Sequence, residues 1–163
     1  MTIPPVLIVA LLTVAGAAHA QNDVVVFTPK AGFTGFSEGN GELRLLFSHK
    51  PFHVESHGFD RPDGDFQLDQ TVHFAGDTPE TRTWIIHPAS GVHYTGTLSG
   101  ASGGVTGEVS GAQLQLRYRV KGPIFMQQTL TLTPDRKSID NVGRVTLLGI
   151  PIGSLHELIR RED

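Results

Sequence analysis

Residues 66–120 read FQLDQTVHFAGDTPETRTWIIHPASGVHYTGTLSGASGGVTGEVSGAQLQLRYRV, and this stretch decides the fold. Apolar and polar residues alternate along it, most regularly between Asp65 and Ala75, and turn residues such as glycine and proline separate the alternating runs. A period of two places successive side chains on opposite faces of a β-strand. The stretch therefore predicts consecutive antiparallel strands joined by tight turns, with Arg82 and Trp84 together on one face.

The same alternation continues through the rest of the chain, with about seven to nine strand candidates at a spacing of roughly ten residues. A glycine-rich segment, residues 33–41, precedes them and is interpreted as the start of the barrel. Closing such a sheet on itself removes its exposed edges. We therefore expect an all-β fold, a single antiparallel β-barrel with at most one short helix. The candidate strands are residues 42–47, 52–59, 65–75, 81–87, 92–98, 105–110, 113–120, 124–132 and 138–148.

The C-terminal segment fits two structures. Ser154 and Glu157 have the spacing of a helix capping box, and Leu155, Leu158 and Ile159 follow at helical spacing. The alternative is a strand that closes the barrel, and local signals favour the helix slightly.

The first twenty residues predict a secretory signal peptide, which leaves residues 21–163 as a single barrel domain. An apolar run from Val6 to Ala18 is followed by the small-residue site Ala18-His19-Ala20. The segment before the run carries no lysine or arginine, so an uncleaved membrane anchor is the alternative. Cleavage before Gln21 would place the protein in the periplasm or outside the cell.

Composition excludes several classes of protein. The net charge is −3 and no basic stripe is present, so nucleic acid is not an expected partner. Arg117, Arg119 and Lys121 alternate along one strand and are interpreted as a solvated face. The chain contains no cysteine, which excludes disulfides and thiol chemistry.

No motif predicts a cofactor, a metal site or a catalytic nucleophile. His53, Glu55 and His57 share a strand face, but positions four apart on a strand lie about 13 Å from each other. Zinc bonds to histidine are about 2 Å long, so these two histidines cannot share one metal. Ser102 lies among glycines, yet no helix signal follows it as a hydrolase nucleophile requires.

The predicted inner face carries more polar groups than a barrel filled only for stability needs. If Trp84 points inward, Arg82 on the same strand does so too, and an unpaired guanidinium is not tolerated in an apolar interior. Arg82 then pairs either with a protein carboxylate, such as Glu38 or Glu42, or with the acidic or carbonyl end of a ligand. The candidate ligand-binding residues are Arg82, Trp84, Gln70, Tyr94, Tyr118, Gln128 and Asn141.

A set of short motifs lies between Phe33 and Arg160: Phe33-x-Gly35, Glu38-Gly39-x-Gly41, Arg82-x-Trp84-x-Ile86, Tyr94-x-Gly96, Gly103-x-x-x-Gly107 with Gly111, Tyr118, Asn141, and Gly149-Ile150-x-Ile152-Gly153. Through these motifs the chain resembles the bacterial domain-of-unknown-function family thirty-eight thirty-three. The resemblance implies a lipocalin-like, calycin-type barrel of the bacterial envelope whose C-terminal segment is a final strand. It also implies an acidic residue and a tryptophan where this chain has Gln128 and Thr129. It implies no established activity.

Three functions are compatible with these features. We expect a monomeric carrier of a small apolar ligand, a lipid or another molecule with an acyl chain, and peripheral contact with a membrane stays open. The alternative is an isomerase or cyclase in which Tyr94, Tyr118 or Arg82 polarises a bound substrate. A structural envelope role is the third. The carrier is favoured because no pair of titratable residues with evident acid and base roles is visible.

Overall fold

The computed structural model describes residues 25–162, which form a closed barrel of ten antiparallel strands and one short helix. The predicted signal segment, residues 1–20, lies outside the described residues. The elements are α1 (Pro29–Phe33), β1 (Gly35–Leu45), β2 (Ser48–Asp60), β3 (Phe66–Phe74), β4 (Glu80–Pro88), β5 (His93–Leu98), β6 (Gly104–Ser110), β7 (Gln113–Lys121), β8 (Ile124–Leu132), β9 (Ser138–Leu147) and β10 (Ile150–Arg161).

Each strand pairs with its neighbours in sequence, and β1 pairs with β10 to close the barrel. This confirms the predicted all-β fold, a single antiparallel barrel. The C-terminal segment is the tenth strand, as the family resemblance implied, and not the helix that its capping-box spacing favoured. Its backbone is hydrogen-bonded to both β9 and β1, and these non-local pairings override the local helix signal.

The glycine-rich segment is part of a strand, which corrects its interpretation as the start of the barrel. Residues 35–41 form the first half of β1, between β2 and β10. A Cβ atom on Gly41 would lie 2.3 Å from the carbonyl oxygen of His156 and 2.7 Å from the ring of Phe52. Glycine is therefore required at this position because neighbouring groups occupy the space of a side chain.

The two ends of the barrel differ. One end, called here the closed end, is covered by the chain before β1. Thr28 caps α1 by accepting a hydrogen bond from the backbone N–H of Ala31 at 3.0 Å, and the buried rings of Phe27 and Phe33 pack edge to face. The Phe27 N–H donates to the carbonyl of Gly111 in the β6–β7 turn. The other end, called here the open end, carries the turns at residues 46–47, 75–79, 99–103, 122–123 and 148–149.

Inward-facing side chains form one apolar core along the barrel. Its buried members come from every strand except β1 and β2, with a smaller cluster of Phe52, Val54 and Val72 beside it. Outward-facing positions are mostly polar, which matches the period of two in the sequence. Within residues 25–162 no helix is long and apolar enough to cross a lipid bilayer.

Candidate functional site

The barrel encloses a cavity of about 680 Å³. It extends from Phe33, above the closed end, to Ser99 and Ala101 in the β5–β6 turn at the open end. Its wall is mainly apolar, and the polar side chains on it fall into two groups on different strands. The apolar wall includes Leu43, Phe52, Val54, Leu68, Val72, Ile86, Leu98, Leu114, Leu116, Met126, Leu130, Leu155 and Ile159.

The first polar group is a ladder across three adjacent strands. Glu157 on β10 accepts a hydrogen bond at Oε2 from Asn141 Nδ2 on β9, at 2.9 Å. Asn141 Oδ1 accepts in turn from Gln128 Nε2 on β8, at 3.4 Å. All three side chains are buried and line the cavity. The ladder fixes the orientation of the Asn141 amide and holds one carboxyl group against the cavity.

Glu157 is only 6% exposed. Burial raises the pKa of its carboxyl group, because the charged form loses its hydration. The hydrogen bond from Asn141 and the positive charge of Arg82 act in the opposite direction on this pKa, but burial dominates. Such a carboxyl group can donate a hydrogen bond when protonated or accept a proton when ionised.

The second polar group surrounds Trp84 on the other side of the barrel. Its indole Nε1 donates to Gln70 Oε1 at 2.7 Å, and Gln70 Nε2 donates to Ser56 Oγ at 3.2 Å. The ring of Tyr118 packs edge to face on Trp84, with centroids 5.3 Å apart. Burial raises the pKa of Tyr118 to about 12, so its hydroxyl stays protonated at neutral pH and can donate to a ligand.

Arg82 lines the cavity but is not enclosed in the apolar interior, contrary to the sequence argument. Its side chain is 32% exposed at the end of β4 nearest the open end, and its Nη2 donates to Glu80 Oε2 at 3.1 Å. The proposed partners Glu38 and Glu42 are not used, and Glu42 instead pairs with Arg44 and His49. Water at the open end and the neighbouring Glu80 stabilise the guanidinium, so its charge requires no deeply buried partner.

The structure brings six of the seven predicted ligand-binding residues to one cavity: Gln70, Arg82, Trp84, Tyr118, Gln128 and Asn141. Tyr94 is different. It is partly buried and packs against the apolar core nearer the closed end, where its Cβ lies beside Gly107, and it does not line the cavity. We therefore remove Tyr94 from the candidate site.

Glu157 is the functional residue that sequence reasoning missed. The argument that few acidic residues face inward was wrong at this position, because the helical interpretation hid the alternation of β10. A signal was present: Leu155, Glu157 and Ile159 alternate with His156 and Leu158. Once the segment is a strand, the inward orientation of Ile159 requires the same orientation of Glu157.

The histidine-rich stretch of β2 lies on the outer face of the barrel. His53 Nδ1 lies 3.1 Å from Asn40 Oδ1, and the ring of His57 stacks on Phe36 with centroids 4.3 Å apart. Glu55 lies 3.6 Å from the ring of His73 on β3. These contacts give each side chain a structural partner on a neighbouring strand.

Comparison with protein families identifies the chain. The sequence profile of the family described as "Protein of unknown function (DUF3833)" matches residues 8–161. The protein belongs to this family. No curated protein shows a sequence match to the chain.

Solved structures resemble the barrel at very low sequence identity. One is an S-type phycobiliprotein lyase from Guillardia theta, with a TM-score of 0.63 and 6% identity over 80% of this chain and 88% of the lyase. Another is a protein of unknown function from Nostoc punctiforme, of the DUF3598 family, with a TM-score of 0.61 and 11% identity. It covers 91% of this chain, which spans 53% of its length. The family member described here therefore has a lipocalin-like, calycin-type fold.

Proposed function

We propose that this family member binds a small apolar ligand with an acyl chain inside its barrel and carries it, as a monomer, in the bacterial envelope after export. The cavity is the observation that carries the proposal. Its volume of about 680 Å³ lies within the range of ordinary small-molecule sites. An apolar wall with a few fixed polar groups is also the typical composition of such sites.

The polar groups define how the ligand lies. Arg82 and Glu80 stand near the open end, whereas the Glu157 ladder and the Trp84 group stand on the cavity wall. An acyl chain would lie along the apolar wall, and its acidic or carbonyl end would meet Arg82. The lyase of similar fold is named for its action on phycobiliproteins, and this agrees with a barrel that accommodates a small molecule, although similarity of fold alone does not transfer an activity.

Two measurements test the proposal. Extraction of the purified protein under denaturing conditions, followed by mass spectrometry, identifies any small molecule that copurifies. Titration with palmitic acid then uses Trp84, the single tryptophan, whose fluorescence reports on the cavity wall. We expect a saturable fluorescence change in the wild-type protein. The absence of both a copurified apolar molecule and a saturable change with apolar ligands would contradict the proposal.

A matched pair of variants locates the ligand. Val72→Phe adds a ring to the cavity wall, and Val142→Phe adds the same ring to the exposed outer face of β9. We expect Val72→Phe to abolish the titration and Val142→Phe to leave it unchanged. Equal binding by both folded variants would place the ligand outside the cavity.

A second candidate function is proton-transfer catalysis of the isomerase or cyclase type, and Glu157 favours it. A carboxyl group whose pKa is raised by burial is well suited to exchange protons near neutral pH. Glu157 would take a proton from a carbon next to a carbonyl group polarised by Tyr118 and return it at another carbon, so that no oxidant or reductant is needed. Incubation of the copurified ligand with protein in deuterium oxide distinguishes the functions. Deuterium incorporation that Glu157→Gln abolishes would support the enzyme, and binding without incorporation would support the carrier.

A further inference from the structure

We propose that the open end of the barrel docks on a lipid bilayer with anionic headgroups. The observation is a cluster of exposed apolar side chains there. Phe47 is 99% exposed and Leu148 is 78% exposed, and Leu46 and Ile150 follow them as the most exposed large apolar residues of the described chain. All four lie in or beside two turns of the open end. We call the set of Leu46, Phe47, Leu148 and Ile150 the apolar rim.

The apolar rim is one continuous feature. The β1–β2 and β9–β10 hairpins are neighbours because β1 pairs with β10, and the Leu46 N–H donates to the Ile152 carbonyl at 3.1 Å. On the other side, the Leu148 N–H donates to the carbonyl of Pro123 in the β7–β8 turn at 3.2 Å. Three adjacent turns therefore present their tips in the same direction. A patch of this kind is a typical interaction surface.

The backbone at Leu148 gives independent support. Its φ angle is +52°, and it precedes Gly149, whose φ is +82°. Two-residue hairpin turns with positive φ at both positions strongly prefer asparagine, aspartate or glycine, because a larger side chain is strained there. The chain keeps a leucine that is both strained and exposed to water. Strain retained in this way is typical of a functional position.

The charges beside the apolar rim determine which surface it fits. Arg117, Arg119, Lys121 and Arg144 lie on the outer faces of β7 and β9, and the guanidinium groups of Arg117 and Arg119 lie 5.3 Å and 5.1 Å from the centroid of the Phe125 ring. Among residues 25–162, none of the four cations forms an ion pair.

The acidic residues of the open end do form ion pairs. Glu42 pairs with Arg44, Asp77 with Lys50 and Glu80 with Arg82. The uncompensated charge beside the rim is therefore positive, although the whole chain carries −3. Apolar tips flanked by basic residues match the interface of an anionic bilayer, where the tips enter the acyl boundary and the cations meet the headgroups.

The orientation gives docking a consequence. The cavity opens at the same end, beside Ser99 and Ala101. A barrel docked through the rim would hold its opening against the bilayer, so that an acyl chain could pass between membrane and cavity. This consequence rests on the proposed function, whereas docking itself does not.

Flotation with lipid vesicles tests the inference. Vesicles of phosphatidylcholine alone are compared with vesicles that also contain phosphatidylglycerol, and we expect tighter binding to the second. The double variant Phe47→Ser/Leu148→Asn should lower the affinity at least about tenfold, since transfer of even one large apolar side chain from water contributes roughly that factor. Asparagine suits a positive φ, so Leu148→Asn alone should be at least as stable as the wild-type protein.

Matched controls separate docking from general effects. Val26→Ser/Val92→Ser removes two half-exposed apolar side chains away from the open end and should leave binding unchanged. Arg119→Gln/Lys121→Gln should remove most of the preference for anionic vesicles, and Arg136→Gln/Arg160→Gln, near the closed end, should not. The absence of vesicle binding by the wild-type protein, or equal losses in test and control variants, would overturn the inference.

A second copy of the chain is the other occupant that the test must detect. If light scattering shows a dimer that Phe47→Ser/Leu148→Asn dissociates, the rim is a self-association surface and the proposal is wrong. The palmitic acid titration is run on the same variants. Since no rim residue lines the cavity, retained titration with lost vesicle binding supports docking, and the reverse pattern would refute docking while leaving ligand binding intact.

Discussion

Gly39 on β1 and Glu157 on β10 are in such close contact that a Cβ atom on Gly39 would lie 2.0 Å from Glu157 Oε1. The carboxyl group therefore occupies the space that a side chain at position 39 would fill. The ladder of Glu157, Asn141 and Gln128 keeps its geometry only because β1 has no side chain at this position.

Gly39→Ala should displace the Glu157 carboxyl group and lower the free energy of unfolding by about 1–3 kcal/mol, the usual effect of overpacking. In a Glu157→Ala background the same change should be nearly neutral, because the competing atoms are gone. Gly104→Ala is the control, since the nearest atom to its Cβ is 3.5 Å away. Urea denaturation of the four proteins of the double-mutant cycle measures the coupling. Equal effects of Gly39→Ala in both backgrounds would show that the contact does not constrain position 39.

The raised pKa of Glu157 predicts a pH dependence of stability. In the unfolded chain the carboxyl group titrates near its usual value of 4.5. Above that pH the unfolded chain loses its proton first, so the folded state binds more protons and its stability falls as the pH rises through the folded pKa. Glu157→Gln keeps an acceptor for Asn141 and removes this loss. Its free energy of unfolding should therefore increase relative to that of the wild type between acidic and neutral pH, whereas a constant difference would contradict burial as the cause.

Arg82→Gln should weaken binding of palmitic acid by about 1 kcal/mol, roughly fivefold, because the lost charge-assisted hydrogen bond is partly screened by water. Arg61→Gln is a matched control: Arg61 has a side chain exposed by 36% and pairs with Asp63 at 3.1 Å, but in the β2–β3 turn at the closed end. The fluorescence of Trp84 measures both affinities. Equal affinities of the two variants would show that Arg82 pairs only with Glu80 and anchors no ligand.

Gln70→Leu should destabilise the fold by about 1–3 kcal/mol, because it leaves the buried Nε1 of Trp84 without an acceptor. Gln67→Leu on the same strand is the control, since Gln67 faces outward and bonds to Asp69 and Arg61, where water can take its place. Thermal unfolding compares the two variants, and the emission maximum of Trp84 should shift only in Gln70→Leu. A neutral Gln70→Leu variant would mean that another group satisfies the indole.

Export remains a prediction from the sequence. Signal cleavage after Ala20 should give a protein that begins at Gln21 and is found in the periplasm or the medium. Intact mass spectrometry of the protein purified from its native source measures the first residue. Recovery of a chain that begins at Met1 in the membrane fraction would favour the uncleaved anchor.

The alternation of apolar and polar residues was sufficient to predict the barrel and its inner face. From Phe66 to Phe74, and from Ile124 to Leu132, the inward positions of the structure are those that the period of two indicates. Gln70, Trp84, Tyr118, Gln128 and Asn141 could be placed together because a strand fixes which residues share a face, whatever its partners are.

Three features could not be read from the alternation alone. The strand identity of residues 150–161 depends on hydrogen bonds to β9 and β1, and both partners are distant in sequence from at least part of the segment. The partner of Arg82 depends on where β4 ends relative to the open end, which places the guanidinium near water. The apolar rim forms only because closure makes the β1–β2 and β9–β10 turns neighbours.

The sequence by itself determined the secondary-structure class and the face of most side chains, because both follow from local periodicity. Tertiary structure decided the position of Glu157 over Gly39, the opening of the cavity at one end and the clustering of Phe47 with Leu148. Each of these joins residues about a hundred positions apart, and the physical reason is that barrel closure pairs the first strand with the last.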